Sequence, residues 1–335
     1  MSGLEELTKA LETAIGTNDE KQEVKEWFNT GYEPLNLILS GDQDKGLPFG
    51  RIIEIFGPSS SGKTILATQM MIAAQKKGGV AMFMDHEGTF QVNLAKENGL
   101  SDEFPFWIYK RPNTWEESNT LALKAVEVIR KSGKVADTAP IVVVFDSIAA
   151  MIPKSVFERG IDEYSMNDTT ALARVASSTI KAVNQKLGQL NGTFLYLNQI
   201  RTKPGVVYGD PTTTPGGSAM EFYASVRLSL SFKRVMEETD GTKEMIGQLI
   251  TIKTKKNKLT RPFQEVDLMM RFNEEGVAYF DFVASYIEML VTQKKLSFKP
   301  RLVWKDGKSY FKRAFIEMIA STGGIKELKE AFPVS

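Results

Sequence analysis

The chain has 335 residues, room for one large α/β domain with smaller attachments, and its 42 Lys and Arg nearly balance its 41 Asp and Glu. With no cysteine and a single histidine, His86, it excludes disulfides, thiol catalysis, zinc–thiolate centres and multi-histidine metal sites. Net charge near zero confines any nucleic-acid contact to a local patch, and the absence of a long apolar run or a basic-then-apolar leader points to a cytoplasmic protein without a membrane partner.

Ser2-Gly-Leu-Glu5 has capping-box spacing, after which Leu4, Leu7, Leu11 and Ile15 fall on one helical stripe. A helix that short needs a docking surface, on its own domain or on a neighbouring subunit. Thr17 to Lys25 reads as linker, and Trp27, Phe28 and Leu35 to Leu39 begin the main domain. Arg51 to Phe56 is a β-branched strand, and Ile65 to Ala74 suits a helix packed on a sheet. Between them stands Gly57-Pro58-Ser59-Ser60-Ser61-Gly62-Lys63-Thr64, the G-x-x-x-x-G-K-[ST] pattern in the strand–turn–helix context that makes it a phosphate-binding loop. Gly57 and Gly62 permit backbone angles that side chains forbid, so that successive N–H groups face phosphate oxygens. Lys63 is expected on the β- and γ-phosphates and Thr64 on magnesium.

The chain then alternates β and α in the manner of a parallel sheet. Strands Val80 to Met84, Ile141 to Phe145 and Thr193 to Leu197 end in Asp85-His86-Glu87, Asp146-Ser147 and Asn198-Gln199. Helices are expected over Thr114 to Lys131 and Thr169 to Leu190. In an open parallel sheet the carboxyl ends of the strands form the ligand crevice, so these polar groups should face the phosphates. Asp146, after an unbroken apolar run, reads as a magnesium ligand opposite Thr64 or as a merely structural strand end; Glu87 reads either as the group that orients or deprotonates the attacking water or as half of a surface salt bridge. Gln199 either senses the γ-phosphate or caps its strand.

Ile200 to Gly217 has no period and is full of Gly, Pro and Thr, the mark of a functional or a disordered segment; Arg201 and Lys203 suit phosphates, and the alternative is a lid over substrate. Strands resume at Ser225 to Phe232, Gln248 to Thr254 and Phe263 to Met270. Lys256 and Lys258, at the end of the second, form a solvated edge or reach a neighbour's ATP as an arginine finger does. Asn273 to Gly276 is a turn and a boundary; beyond it Tyr279 to Leu290 is helical, Leu302 to Trp304 and Ser309 to Phe311 bracket a hairpin, and Arg313 to Ile319 is helical.

On these residues the chain resembles a RecA-family recombinase, from about Thr30 to about Tyr310. Gly50 to Thr64 is similar to the family's P-loop region and Asp146-Ser-Ile-Ala-Ala150 to its Walker-B segment; Asn198 to Arg201, Thr214 to Ala219 and Phe222 to Arg227 are similar to its second DNA loop and exit, and Lys256-Asn-Lys258 to the strand with its interface lysines. The resemblance implies an α/β fold with a RecA-like P-loop ATPase core, a mostly parallel central sheet flanked by helices, a short N-terminal helix and a small α+β C-terminal domain. The implied divisions are 1–29 for oligomerisation, 30–272 for the ATPase core and 273–335 for the C-terminal part. It implies ATP and Mg2+ as cofactors, single-stranded DNA and homologous duplex as partners, and a helical filament or a ring with ATP between subunits.

By position, Glu87 matches the catalytic glutamate, Asp146 the magnesium aspartate, Gln199 the γ-phosphate sensor, and Lys256 and Lys258 the lysines acting in trans. Phe157 to Ser165 matches the first DNA loop, which brings in Arg159 and, on the helix beyond, Arg174. Ile200 to Thr214 matches the second, with Arg201, Lys203 and Gly205, followed by Gly216, Gly217 and Ser218. Phe222 matches the residue coupling ATP state to subunit contact. Gln91 and Leu94 replace the acidic and aromatic residues expected against adenine, and Glu221 replaces a basic one. Between Lys25 and Thr30 there is no room for the strand that bacterial members lend to the next subunit, and no long acidic tail precedes Ser335, which implies less autoinhibition of duplex binding. Such trimming resembles virus-encoded members, in a phage-infected bacterial cell. The rival readings are a ring helicase, an ATP-gated scaffold and a small-molecule P-loop kinase.

Overall fold

The computed structural model describes residues 3–15, 23–159, 161–163, 168–202, 212–239 and 242–334. Ser2, Lys203 and Gly205, the middle of the second loop and part of the first lie outside them.

The chain begins with α1 (Gly3–Ile15), β1 (Trp27–Phe28), α2 (Glu33–Ser40) and β2 (Leu47–Pro48). β3 (Ile52–Gly57), α3 (Lys63–Lys76), β4 (Val80–Asp85), α4 (Val92–Glu97), β5 (Trp107–Lys110), α5 (Trp115–Ser132) and β6 (Ile141–Asp146) follow. After α6 (Lys154–Phe157) and α7 (Asp168–Leu190) come β7 (Gly192–Gln199), the short pair β8 (Arg201–Thr202) and β9 (Thr212–Thr213), and α8 (Ala219–Tyr223). The rest is β10 (Val226–Thr239), β11 (Thr242–Asn257), β12 (Glu265–Phe272), β13 (Ala278–Phe280), α9 (Phe282–Thr292), β14 (Leu302–Val303), β15 (Ser309–Tyr310), α10 (Lys312–Thr322) and α11 (Ile325–Ala331).

Among the described residues one nine-stranded sheet organises the molecule, in the order β13-β12-β11-β10-β3-β7-β6-β4-β5. From β10 to β5 neighbours run parallel; from β10 to β13 they run antiparallel. Both faces are covered, which is why β4 and β6 read as apolar runs instead of alternating ones, and why β3 does so apart from Glu54. On one face Ile53, Ile55, Phe83, Val144 and Leu197 pack with Leu66, Met70 and Met71 of α3. On the other Ile52, Met82, Phe145, Phe194 and Tyr196 pack with Trp115 of α5 and Ile180 and Leu187 of α7. The fold is the expected α/β core.

Local chemistry sets the helix ends. Thr114 caps α5 by accepting from Glu117 N, and Glu117 returns a carboxylate to Asn113 N. Asp281 caps α9 by accepting from Ala284 N, so that helix starts at Phe282. The helix expected from Tyr279 therefore begins later, because Tyr279 and Phe280 pair with β12. The sheet thus continues past the Asn273 to Gly276 turn, and Phe315, Ile319 and Leu328 share a core with Leu268 and Met270. β10 and β11 form a hairpin longer than expected, while β12 starts at Glu265 because Phe263 takes φ 62.

Leu4, Leu7, Leu11 and Ile15 are 72%, 54%, 47% and 78% exposed, so the rest of the described chain does not cover the α1 stripe. Trp27 and Phe28 pair with Pro48 and Leu47 of their own chain.

Candidate active site

β3 delivers the chain to the phosphate-binding loop, and α3 begins at Lys63 behind Gly62, whose φ is +82. A Cβ on Gly62 would lie 2.4 Å from Ile250 Cδ1. Gly57 is needed for a different reason than the expected backbone angle: it is absent from the positive-φ residues, and a Cβ there would lie 2.6 Å from Leu230 O. The left-handed residue inside the loop is instead Ser60, at φ 59. No side chain caps the start of α3, so its N–H groups face the loop's concavity, the arrangement that receives phosphate. Ser61 Oγ is buried there without a hydrogen-bond partner among the described residues. Lys63 Nζ donates to Gly57 O at 3.1 Å and Pro58 O at 2.7 Å, and burial lowers its pKa, a penalty on the ammonium that a bound anion would offset.

Thr64 Oγ1 donates to Asp146 Oδ2 at 2.9 Å, which joins the hydroxyl and the carboxylate foreseen for the metal. Burial, then the nearby Glu87, push Asp146 up to about 7. One carboxylate and one hydroxyl suit magnesium, which keeps waters and phosphate oxygens as its other ligands.

The segment after β4 is hooked to the end of β6: His86 N and Glu87 N both donate to Asp146 O, at 2.7 and 3.2 Å. Asp85 moulds the next turn by accepting from Gly88 N, Phe90 N and Tyr109 Oη. Glu87 Oε1 accepts from Ser147 Oγ at 2.5 Å and from Gln199 Nε2 at 3.4 Å. His86 Nε2 lies 3.0 Å from Ser118 Oγ, and burial lowers its pKa to about 4, so it is a neutral neighbour at pH 7. Lys63, Thr64, Glu87, Asp146 and Gln199, with Ser59, Ser60, Ser61 and Gly62, line one cavity of about 490 Å³. A second, of about 310 Å³, shares Thr64 and Ile65 with it and is lined by Phe90, Gln91, Leu94, Asn98 and Ala278. Gln91 thus stands in the neighbouring cavity and not among the residues that line the first.

Lys256 and Lys258 are not in this cavity. Both Nζ atoms donate to carbonyls at the end of α8: Lys256 to Glu221 O and Phe222 O, and Lys258 to Phe222 O at 3.0 Å. Burial, then Lys258 and Arg227, bring Lys256 down to about 8. Phe222, 68% exposed, projects from the same turn.

Of the nucleic-acid candidates, Arg174, Gly217 and Ser218 line one open groove between α7 and α8. Gly216 and Gly217 take φ +89 and +69, and a Cβ on Gly217 would lie 2.9 Å from Ala173 Cβ, so the turn sits tight on α7. Arg201 is exposed on β8, whereas Arg159 pairs with Asp168 at 2.5 Å and stands outside that groove.

Sequence reasoning missed Gln248, and it placed Ser147 among the strand-end polar groups without foreseeing its bond to Glu87. Gln248 lines the phosphate cavity with its Oε1 buried and without a hydrogen-bond partner among the described residues, and nothing in the β11 pattern singled it out. Glu54 was also passed over, although one carboxylate inside the run Ile52-Ile-Glu-Ile-Phe56 was a signal.

Comparison with known proteins agrees with this geometry. A family model described as the RecA N-terminal domain matches residues 7–278. Protein RecA of Cereibacter sphaeroides is 37% identical over 261 residues, covering 78% of this chain and 70% of the relative. Protein RecA of Desulforapulum autotrophicum is 34% identical over 285 residues, covering 82% and 77%. The chain belongs to the RecA family of DNA-dependent ATPases and ATP-dependent DNA recombinases.

Proposed function

We propose that this recombinase assembles on single-stranded DNA as a filament with ATP and magnesium between subunits, and pairs that strand with homologous duplex in the bacterial cytoplasm. The observation that carries this reading is the single cavity shared by Lys63, Glu87, Asp146 and Gln199, from which β7 leads directly into the loop that begins at Ile200.

Lys63 and the uncapped start of α3 hold the β- and γ-phosphates. Thr64 and Asp146 hold magnesium, which when bound offsets the negative charge on the phosphate oxygens. Glu87, fixed by the Asp146 carbonyl and Ser147, orients the attacking water and accepts its proton. Gln199 reports the terminal phosphate to the loop, and Lys256 and Lys258 complete the neighbour's site once they leave α8. Arg174, Arg201, Lys203, Gly205, Gly217 and Ser218 approach the DNA backbone, so sequence is read by base pairing and binding weakens steeply with salt. The uncovered α1 stripe supports docking on the next subunit, in place of a lent strand.

The test is ATP turnover with and without single-stranded DNA, followed by electron microscopy of the assemblies. DNA-stimulated turnover on filaments is the expected result; closed rings would point to a helicase, and turnover indifferent to DNA would overturn the reading.

A further inference from the structure

Glu54 sits in the middle of β3 with none of its surface exposed, in a strand whose other residues are also buried. Its two oxygens are both used. Oε1 accepts from Asn198 Nδ2 at 2.8 Å, and Oε2 accepts from Arg227 Nε at 2.5 Å. Those partners bracket the second loop. Asn198 Nδ2 also reaches Pro215 O at 3.0 Å, and Arg227 Nη2 reaches Thr214 Oγ1 at 3.4 Å. The entry and the exit of the segment are therefore tied to one carboxylate of the strand that feeds the phosphate-binding loop.

Strand alternation gives this arrangement its meaning. Leu195 and Leu197 belong to the core on the α3 side, and Phe194 and Tyr196 to the core on the other. By the same period Gln199 faces the nucleotide cavity and its neighbour Asn198 faces Glu54. A shift of β7 that follows Gln199 must carry Asn198 with it. Stability alone does not account for the carboxylate, because apolar residues in place of a buried ion pair are often neutral or better.

We infer that Glu54 is a positioning residue that couples the nucleotide cavity to the DNA-contacting loop, holding the loop's two roots, through Asn198 and Arg227, at a set distance from β3. This rests on the reading of the 200–214 segment as a DNA contact. The hydrogen-bond partners of Glu54, Asn198 and Arg227, do not line the phosphate cavity, so its loss should spare nucleotide binding and DNA-independent turnover while removing the response to DNA.

The test is steady-state ATP turnover of Glu54→Gln with and without an oligo(dT) strand, together with ATP affinity and thermal unfolding. The expected result is ATP affinity and DNA-independent turnover within about twofold of the parent, with the DNA-stimulated increment reduced about tenfold, a span typical of coupling residues. Thr214→Val cuts only the link from Arg227 to the loop's exit and stays folded if Glu54→Gln does not; it should reduce the same increment about threefold. Equal loss of stimulated and unstimulated turnover, or an unchanged increment in both variants, overturns the inference. A parent protein whose turnover ignores DNA would instead overturn the reading of the site itself.

Discussion

The two halves of the proposed catalytic apparatus differ in readiness. The half built from the ends of β3, β4, β6 and β7 is already joined: Thr64 to Asp146, Glu87 to Ser147 and Gln199, and Lys63 to its own loop carbonyls. The half built from β11 is engaged elsewhere, with Lys256 and Lys258 on the carbonyls that end α8. A parallel sheet delivers the first set by topology, since strand ends converge on one edge without further help. The second set needs a partner to compete with α8. Under the proposed function, assembly would exchange one set of lysine contacts for another, and that exchange would also free the turn that carries Phe222.

Several substitutions sharpen this contrast, from the largest expected effect down. Lys256→Ala should leave nucleotide affinity of the protomer unchanged and lower DNA-stimulated turnover about 10³-fold, the scale of a charge supplied in trans; a protomer that loses nucleotide affinity as well would erase the distinction. Lys63→Ala should weaken nucleotide binding in titrations and lower turnover about 10²-fold, whether or not DNA is present. Leu7→Glu with Leu11→Glu should weaken filament formation about tenfold by light scattering while monomer unfolding stays unchanged, because the stripe has no cover within the described chain.

Acidity offers a smaller lever. In the protomer Lys256 titrates near 8, and contact with phosphate raises that value, so assembly takes up protons and weakens as pH climbs past 8. Between pH 7.5 and 8.5 the protonated fraction falls about threefold, and sedimentation should show the same drop in assembly, absent in Lys256→Arg. Asp146 supplies the smallest effect. Its pKa is raised in the folded chain, so its charge works against folding as pH rises through about 7 without metal. Asp146→Asn should raise the melting temperature of the nucleotide-free protein by about 2–4 °C at pH 8.

Much of this was legible because it is written locally. A P-loop announces itself by spacing, and apolar runs that end in Asp85, Asp146 or Asn198 mark buried strands with their ends at the ligand edge. What escaped is what depends on packing between distant segments. Gln248 is 185 positions from Lys63 along the chain, and only the curl of β11 over the loop brings both to one cavity. Tyr279 and Phe280 look helical with the residues that follow, but β12 offers them a ladder and Asp281 a cap, and together these outweigh weak helical pattern. The resting place of Lys256 and Lys258 could not be read either, since carbonyls of a five-residue helix leave no mark in composition.

The alternation of Asn198 and Gln199 has a consequence for how such a strand can change. Inserting or deleting one residue in β7 would turn the sensor toward Glu54 and the anchor toward the triphosphate, exchanging two jobs in a single event. Length changes in pairs keep both side chains on their own faces, whereas a single-residue change anywhere in the eight residues of β7 does not.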